Sequence, residues 1–118
     1  VIIGKVFTFD AAHFLPDHPG KCAGMHGHTY RMEVRIRGQA KPNGMVLDFG
    51  DFDVMVQRAV LDRVDHKVLN DMFPNTRPTA ENLVEVFADE IISALPLGLQ
   101  LVSIRLYETA DSFAEAWS

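Results

Sequence analysis

Apolar and polar residues alternate with a period of two over the first third of the chain. From Ile3 to His13 one face collects Ile3, Phe7, Phe9, Ala11 and His13, and the other Val6, Thr8, Asp10 and Ala12. Both faces are apolar at the start of this segment, which predicts a strand covered on both sides. From His26 the alternation is stricter: His26, His28, Tyr30, Met32, Val34 and Ile36 point inward, while Thr29, Arg31, Glu33, Arg35 and Arg37 point out. A Pro- and Gly-bearing loop, PDHPGKCAGM, joins the two strands. If they pair antiparallel, the end of the first lies beside the start of the second, and the rings of His13, His26 and His28 converge.

The period then changes. GQAKPNG is turn chemistry, with Pro42, Asn43 and Gly44 suited to a tight reversal, and the short apolar MVLDF follows. Phe52, Met55, Val56, Ala59 and Val60 recur at helical spacing behind Asp51 and Asp53, predicting a helix from Asp51 to about Arg63. Asp65 and His66 fall just beyond it, in a loop that runs to Pro74. A second helix is predicted with Thr79 as N-cap and Glu81 in its first turn; Leu83, Val84, Phe87, Ala88, Ile91 and Leu95 form its inner stripe, and Pro96-Leu97-Gly98 stops it. Alternation returns with Val102, Ile104, Leu106 and Glu108 opposite Leu101, Ser103, Arg105 and Tyr107, and a last strand runs from Phe113 to Trp117. The order ββααββ predicts a single α+β domain over residues 1–118, with an antiparallel four-stranded sheet. Such a sheet leaves two edges and a partly apolar second face, which predicts association through the edges.

Composition narrows the functional classes. With 47% hydrophobic residues, 118 residues are enough for one core. The net charge of −5 argues against nucleic acid or an anionic membrane as the main partner. No apolar run approaches the roughly 20 residues of a membrane helix. A single cysteine, Cys22, excludes an internal disulfide and favours a reducing, cytoplasmic setting.

The three histidines match the three-imidazole zinc site of catalytic type, whose fourth position stays open to water or substrate; the plainer alternative is three unrelated polar contacts. Cys22, beside Lys21, is the one thiol able to close such a site, or else a base or nucleophile, or an inert buried cysteine. Asp65-His66 reads as a proton-handling pair, or as a helix-end histidine favoured by the dipole beside a solvated aspartate. Glu108 ends an otherwise apolar face, so its ionised form requires donors already there or brought by a ligand. Thr79 is a candidate ligand contact besides its capping role. His18 belongs to the loop, and Arg31, Arg35 and Arg37 form a basic outer row that reads as a solvated face or a subunit contact.

The set FDAAH ending on His13, Cys22 ahead of His26-Gly27-His28, VDHKVLND containing Asp65 and His66, PTAEN at 78–82 and YET at 107–109 resembles the 6-pyruvoyltetrahydropterin synthase / 6-carboxytetrahydropterin synthase family. The short CAGMHGH interval, and Leu69-Asn70-Asp71 where the biopterin-making branch has Asn-Leu-Asp, look like the bacterial 6-carboxytetrahydropterin synthases of queuosine synthesis. The resemblance implies a tunnelling fold, or T-fold, with trimers stacked into a homohexamer and sites at subunit interfaces. It assigns zinc to His13, His26 and His28, the general base to Cys22, a proton relay across an interface to Asp65 and His66, and the pterin anchor to Glu108. Lys21 is the first choice for the triphosphate contact. The implied reaction converts 7,8-dihydroneopterin triphosphate to 6-carboxy-5,6,7,8-tetrahydropterin with loss of acetaldehyde and triphosphate. The alternatives are the pyruvoyl-forming reaction, or a zinc- and pterin-binding module without turnover.

Overall fold

The alternating segments form the strands. In the computed structural model, which describes residues 1–117, β1 (Ile2–His13) and β2 (His26–Arg37) pair antiparallel from Ile2 opposite Arg37 to His13 opposite His26. The strict alternation of β2 sets this register. Tyr30, Met32, Val34 and Ile36 are completely buried, and a slip of one residue would exchange them for Arg31, Glu33 and Arg35. β4 (Gln100–Thr109) pairs antiparallel with β2, and β5 (Ser112–Ala116) with β4.

The sheet has five strands rather than four. β3 (Lys67–Val68) lies parallel to β1 at Ala11 and Ala12, giving the order β3-β1-β2-β4-β5, and the one-turn helix α3 (Leu69–Met72) follows it. Both elements lie inside the segment read as a loop, because two residues of strand carry no periodicity; the fully buried Leu69 anchors them. β4 also departs from the predicted pattern. Ser103 stands opposite Arg35 and Leu101 opposite Ile36, so Val102 is the extra residue of a bulge, and Leu101 takes the inner position expected of Val102.

α1 (Phe49–Val56) starts two residues before the predicted Asp51, because Asp48 is the cap: its carboxylate accepts the N–H groups of Gly50 and Asp51. The helix continues through a π turn, Gln57–Leu61, into α2 (Asp62–Val64), burying Phe52, Val56, Val60, Leu61 and Val64. α4 (Ala80–Ala94) begins where predicted, with the Thr79 hydroxyl accepting the Asn82 N–H. Its stripe of Leu83, Val84, Phe87, Ala88 and Ile91 is buried, and Phe87 meets the edges of Phe9 and Phe73 at centroid distances of 6.2 and 6.1 Å. No helix among the described residues is long and apolar enough to cross a membrane.

The helices cover one face of the sheet. On the other, Ile2 and Val6 remain 47% and 51% exposed, so the two-sided cover expected of β1 is absent within one chain. The basic row on this face is partly engaged: Arg31 pairs with Glu33 at 2.8 Å and lies over the Tyr107 ring, and Arg35 Nε donates to the neutral Ser103 Oγ. At the end of the sheet away from the histidines, a methyl on Gly38 would overlap the Leu99 side chain and stand 3.0 Å from Val46 Cγ1. Gly38→Ala is therefore expected to cost about 1–3 kcal/mol by overpacking, read as a lower urea midpoint.

Candidate metal centre and active site

The β1–β2 register places His13 opposite His26 and Ala11 opposite His28, so the sheet itself gathers the imidazoles. Ring centroids lie 4.5 Å (His13–His26), 5.1 Å (His13–His28) and 4.9 Å (His26–His28) apart. Glu108 reaches the same point from β4, with Oε1 3.1 Å from His13 Nε2 and 3.3 Å from His28 Nε2. One ligand atom from each of these four side chains lies within 4.8 Å of all the others.

Main-chain carbonyls decide which nitrogens face inward. His13 Nδ1–H donates to the Pro78 carbonyl and His26 Nδ1–H to the Gly24 carbonyl, both at 2.8 Å. A carbonyl only accepts, so each Nδ1 carries the proton and each Nε2 offers a lone pair to the cluster. The two Nε2 atoms are only 3.0 Å apart, and His28 Nε2 is buried with no hydrogen-bond partner. Acceptors converging in this way require a shared positive charge, and three imidazoles with a carboxylate fit a divalent cation.

The titration of the group follows from the same contacts. Burial lowers the His13 pKa, but the hydrogen bond to Glu108, the Pro78 carbonyl and the charge of Glu108 together raise it above the ordinary value. His28 is lowered by burial, against the attraction of Glu108 and with the repulsion of the other two rings. Glu108 is held below the ordinary carboxylate range, because the His13 hydrogen bond outweighs burial and the imidazole charges add to it. In the metal-free protein the donor that the sequence required for Glu108 is thus His13 in its doubly protonated form, with the charge of His28 adding to it only when that ring is protonated. Tyr30 forms the floor: it is fully buried, stacks on Phe9 at 4.9 Å, and sets its hydroxyl 3.5 Å from His13 Nδ1. Burial, reinforced by the charge of Glu108, pushes its phenol well above the usual range.

Asp65 and His66 make a corner pinned to β1. Asp65 Oδ1 accepts the Asp10 N–H and the His66 Nδ1–H, each at 3.0 Å, and the His66 N–H donates to the Asp10 carbonyl at 2.6 Å. These bonds hold His66 at φ 60°, a left-handed conformation that a non-glycine residue seldom adopts. Asp65 caps the end of α2, yet the imidazole turns to the carboxylate, leaving Nε2 free to exchange a proton. A groove of about 450 Å³ runs between His66 and His28, with Asp10 and Thr29 on its wall, so one residue of the pair and one of the cluster border the same space.

Cys22 sits in the 3-10 turn Lys21–Ala23, tied to the end of β1 by the bond from Leu15 N–H to its carbonyl. Its half-buried free thiol is outside the four-residue ligand group. Lys21 is exposed on the same turn, and His18 lies in the loop, where its Nδ1 accepts the Gly20 N–H. Thr79, half-buried, spends its hydroxyl on the α4 cap, directly after the Pro78 that orients His13. Two contributors are absent from the predicted site residues: the Pro78 carbonyl, a main-chain group without a sequence signal, and Asn70, noted in the sequence only as part of Leu69-Asn70-Asp71, whose amide bonds both the N–H and the carbonyl of Phe14.

The chain matches the 6-pyruvoyl tetrahydropterin synthase family over residues 2–118. It is 34% identical to the 6-carboxy-5,6,7,8-tetrahydropterin synthase of Haemophilus influenzae, with 96% of each chain covered. It is 37% identical to the protein of the same name from Synechocystis sp., covering 99% of this chain and 93% of that one. The solved structure of Caenorhabditis elegans 6-pyruvoyl tetrahydropterin synthase superposes with a TM-score of 0.88 at 28% identity, over 100% of this chain and 95% of that one. The architecture is the T-fold, with β3 as a fifth strand. A match that runs along nearly the whole length, with the sheet and its helices in common, means that this chain belongs to the 6-pyruvoyl tetrahydropterin synthase family.

Proposed function

We propose that this protein is a zinc-dependent carbon–carbon lyase, which converts 7,8-dihydroneopterin triphosphate and water to 6-carboxy-5,6,7,8-tetrahydropterin, acetaldehyde and triphosphate. The observation that carries this reading is the convergence of three imidazoles and Glu108 on one point, with His28 also lining the groove that His66 borders. Identities of 34% and 37% to proteins named for the carboxy product favour that branch. Zinc held by Nε2 of His13, His26 and His28 would supply the Lewis acidity that eases deprotonation of the substrate's side-chain hydroxyls.

The remaining chemistry belongs to side chains of this protein. Cys22 takes a proton from the substrate side chain as general base. Asp65 holds His66 by its Nδ1–H, so His66 Nε2 is the atom that relays protons along the groove. Glu108 binds the N–H edge of the pterin ring by charge-assisted hydrogen bonds, and Thr79 adds a contact beside it. Lys21, exposed on the turn of Cys22, meets the triphosphate. Electrons lost by the side chain are taken up by the ring, so no external redox cofactor is needed.

The reading includes a place in queuosine synthesis, a cytoplasmic setting and a homohexamer with sites at subunit interfaces. The uncovered sheet face supports association, with Val6 and Phe113 51% and 49% exposed. The pyruvoyl-forming reaction is the second reading, favoured by the 0.88 TM-score to a structure of that name. Pure protein incubated with dihydroneopterin triphosphate is expected to release triphosphate and acetaldehyde in equal amounts, to stop with a chelator and to resume with zinc. Triphosphate without acetaldehyde would move the assignment to the pyruvoyl branch, and pterin binding without either product would make the protein a binding module.

A further inference from the structure

β3 ends where Val68 has paired with Ala12, and the chain turns into α3 at Leu69. The ladder on this edge of β1 would stop there, one residue short of His13 and two short of Phe14. The Asn70 side chain supplies the next rung: Oδ1 accepts the Phe14 N–H at 3.0 Å, and Nδ2 donates to the Phe14 carbonyl at 2.9 Å. A primary amide presents one acceptor and donors much as a peptide unit does, and the two Phe14 partners allow a single orientation of it.

The position of this rung gives it a consequence. Phe14 directly follows His13, whose ring is held on its other side by the Pro78 carbonyl at 2.8 Å. Both restraints come from the segment between β3 and α4, which is braced by the Arg77–Asp17 ion pair and by the bond from Asn82 Nδ2 to the Arg77 carbonyl. A fixed main chain after His13 and a fixed acceptor at Nδ1 leave Nε2 one direction, toward His26, His28 and Glu108.

We infer that Asn70 is a positioning residue for His13: its amide extends the β1 ladder past β3, and so sets the direction of the His13 lone pair. The inference rests on the reading of His13 as a metal ligand, and its test has one readout that needs metal and one that does not. Asn70→Leu keeps similar bulk and removes both bonds; Asp48→Ala, which deletes the α1 cap at the far end of the molecule, is the control for general destabilisation. In competition with a chromophoric chelator, Asn70→Leu is expected to bind Co2+ about 10-fold more weakly with an altered ligand-field spectrum, while Asp48→Ala matches the unaltered protein. In metal-free protein, the His13 Nδ1–H proton resonance is expected to be sharp in the unaltered chain and in Asp48→Ala, and lost to exchange in Asn70→Leu. Asn70→Asp, which keeps only the acceptor for Phe14 N–H, should show a smaller loss in both readouts and serves where the leucine variant does not fold.

Unchanged Co2+ affinity together with an unchanged proton resonance in both Asn70 variants would overturn the inference, as would equal losses in Asp48→Ala. An unaltered protein that binds no Co2+, but whose His13 proton responds to Asn70→Leu, would sink the metal reading and leave the positioning role standing.

Discussion

Cys22→Ala is expected to lower turnover of dihydroneopterin triphosphate by about 10²- to 10⁴-fold while the protein keeps its full complement of metal, the range that loss of a positioned general base produces. The thiol is half-buried on a turn held to the end of β1, close in sequence to His26 and His28 yet outside the four-residue group around the proposed metal position. The three imidazoles proposed to hold the metal are all retained, so removing the sulfur takes away no donor. Single-turnover release of triphosphate, run beside metal analysis of the same samples, separates the two roles open to Cys22. A variant that loses its metal would make Cys22 a ligand, and one that turns over normally would place the base elsewhere.

Glu108→Gln should reduce kcat/KM by roughly 10²-fold, since removing the charge from the proposed two-bond contact with the ring would cost about 3 kcal/mol. Metal content should again hold, because the three imidazoles remain. Loss of metal in this variant would instead identify the carboxylate, 3.1 Å from His13 Nε2, as a ligand rather than an anchor. The metal-free protein carries a second signature of the same substitution. Without Glu108, burial becomes the dominant influence on His13, and its titration, followed by NMR, should move from above the ordinary imidazole value to below it.

Stability of the metal-free protein has a matching dependence on pH. Glu108 has a lowered folded pKa, so its contribution is complete above the unfolded value of 4.5 and fades as pH falls through the folded one. His13 has a raised folded pKa, so its contribution is complete below 6.5 and fades as pH rises through the folded value. The pair therefore contributes most between pH 4.5 and 6.5, with His28, lowered by burial, opposing it toward the acid end of that window.

The hexad of buried alternation in β2, from His26 to Ile36, was legible because a strand with one face in the core has only one register that hides Tyr30, Met32, Val34 and Ile36. The same reasoning locates the α4 cap at Thr79 and the stripe from Leu83 to Ile91, both found in place, whereas Leu95, expected to end that stripe, is the half-buried C-cap. It misplaced Val102, because a bulge breaks the period of two without changing composition, and it missed β3, which is too short to have a period. The predicted start of α1 at Asp51 is two residues late, since the dipole favours acids throughout the first turn and only the backbone bonds show Asp48 to be the cap.

Local order along the chain, then, was enough to bring His13, His26 and His28 to adjoining strand ends, since pairing consecutive antiparallel strands follows from hydrophobic periodicity. Contacts between distant segments decided the rest: the carbonyl of Pro78 that selects the His13 tautomer, the Asn70 amide that completes the ladder at Phe14, and the Asp10 main chain that bends His66 into the groove. Each of these joins residues 55 or more positions apart through a main-chain donor or acceptor, a group that every residue possesses, so nothing in side-chain pattern could mark it.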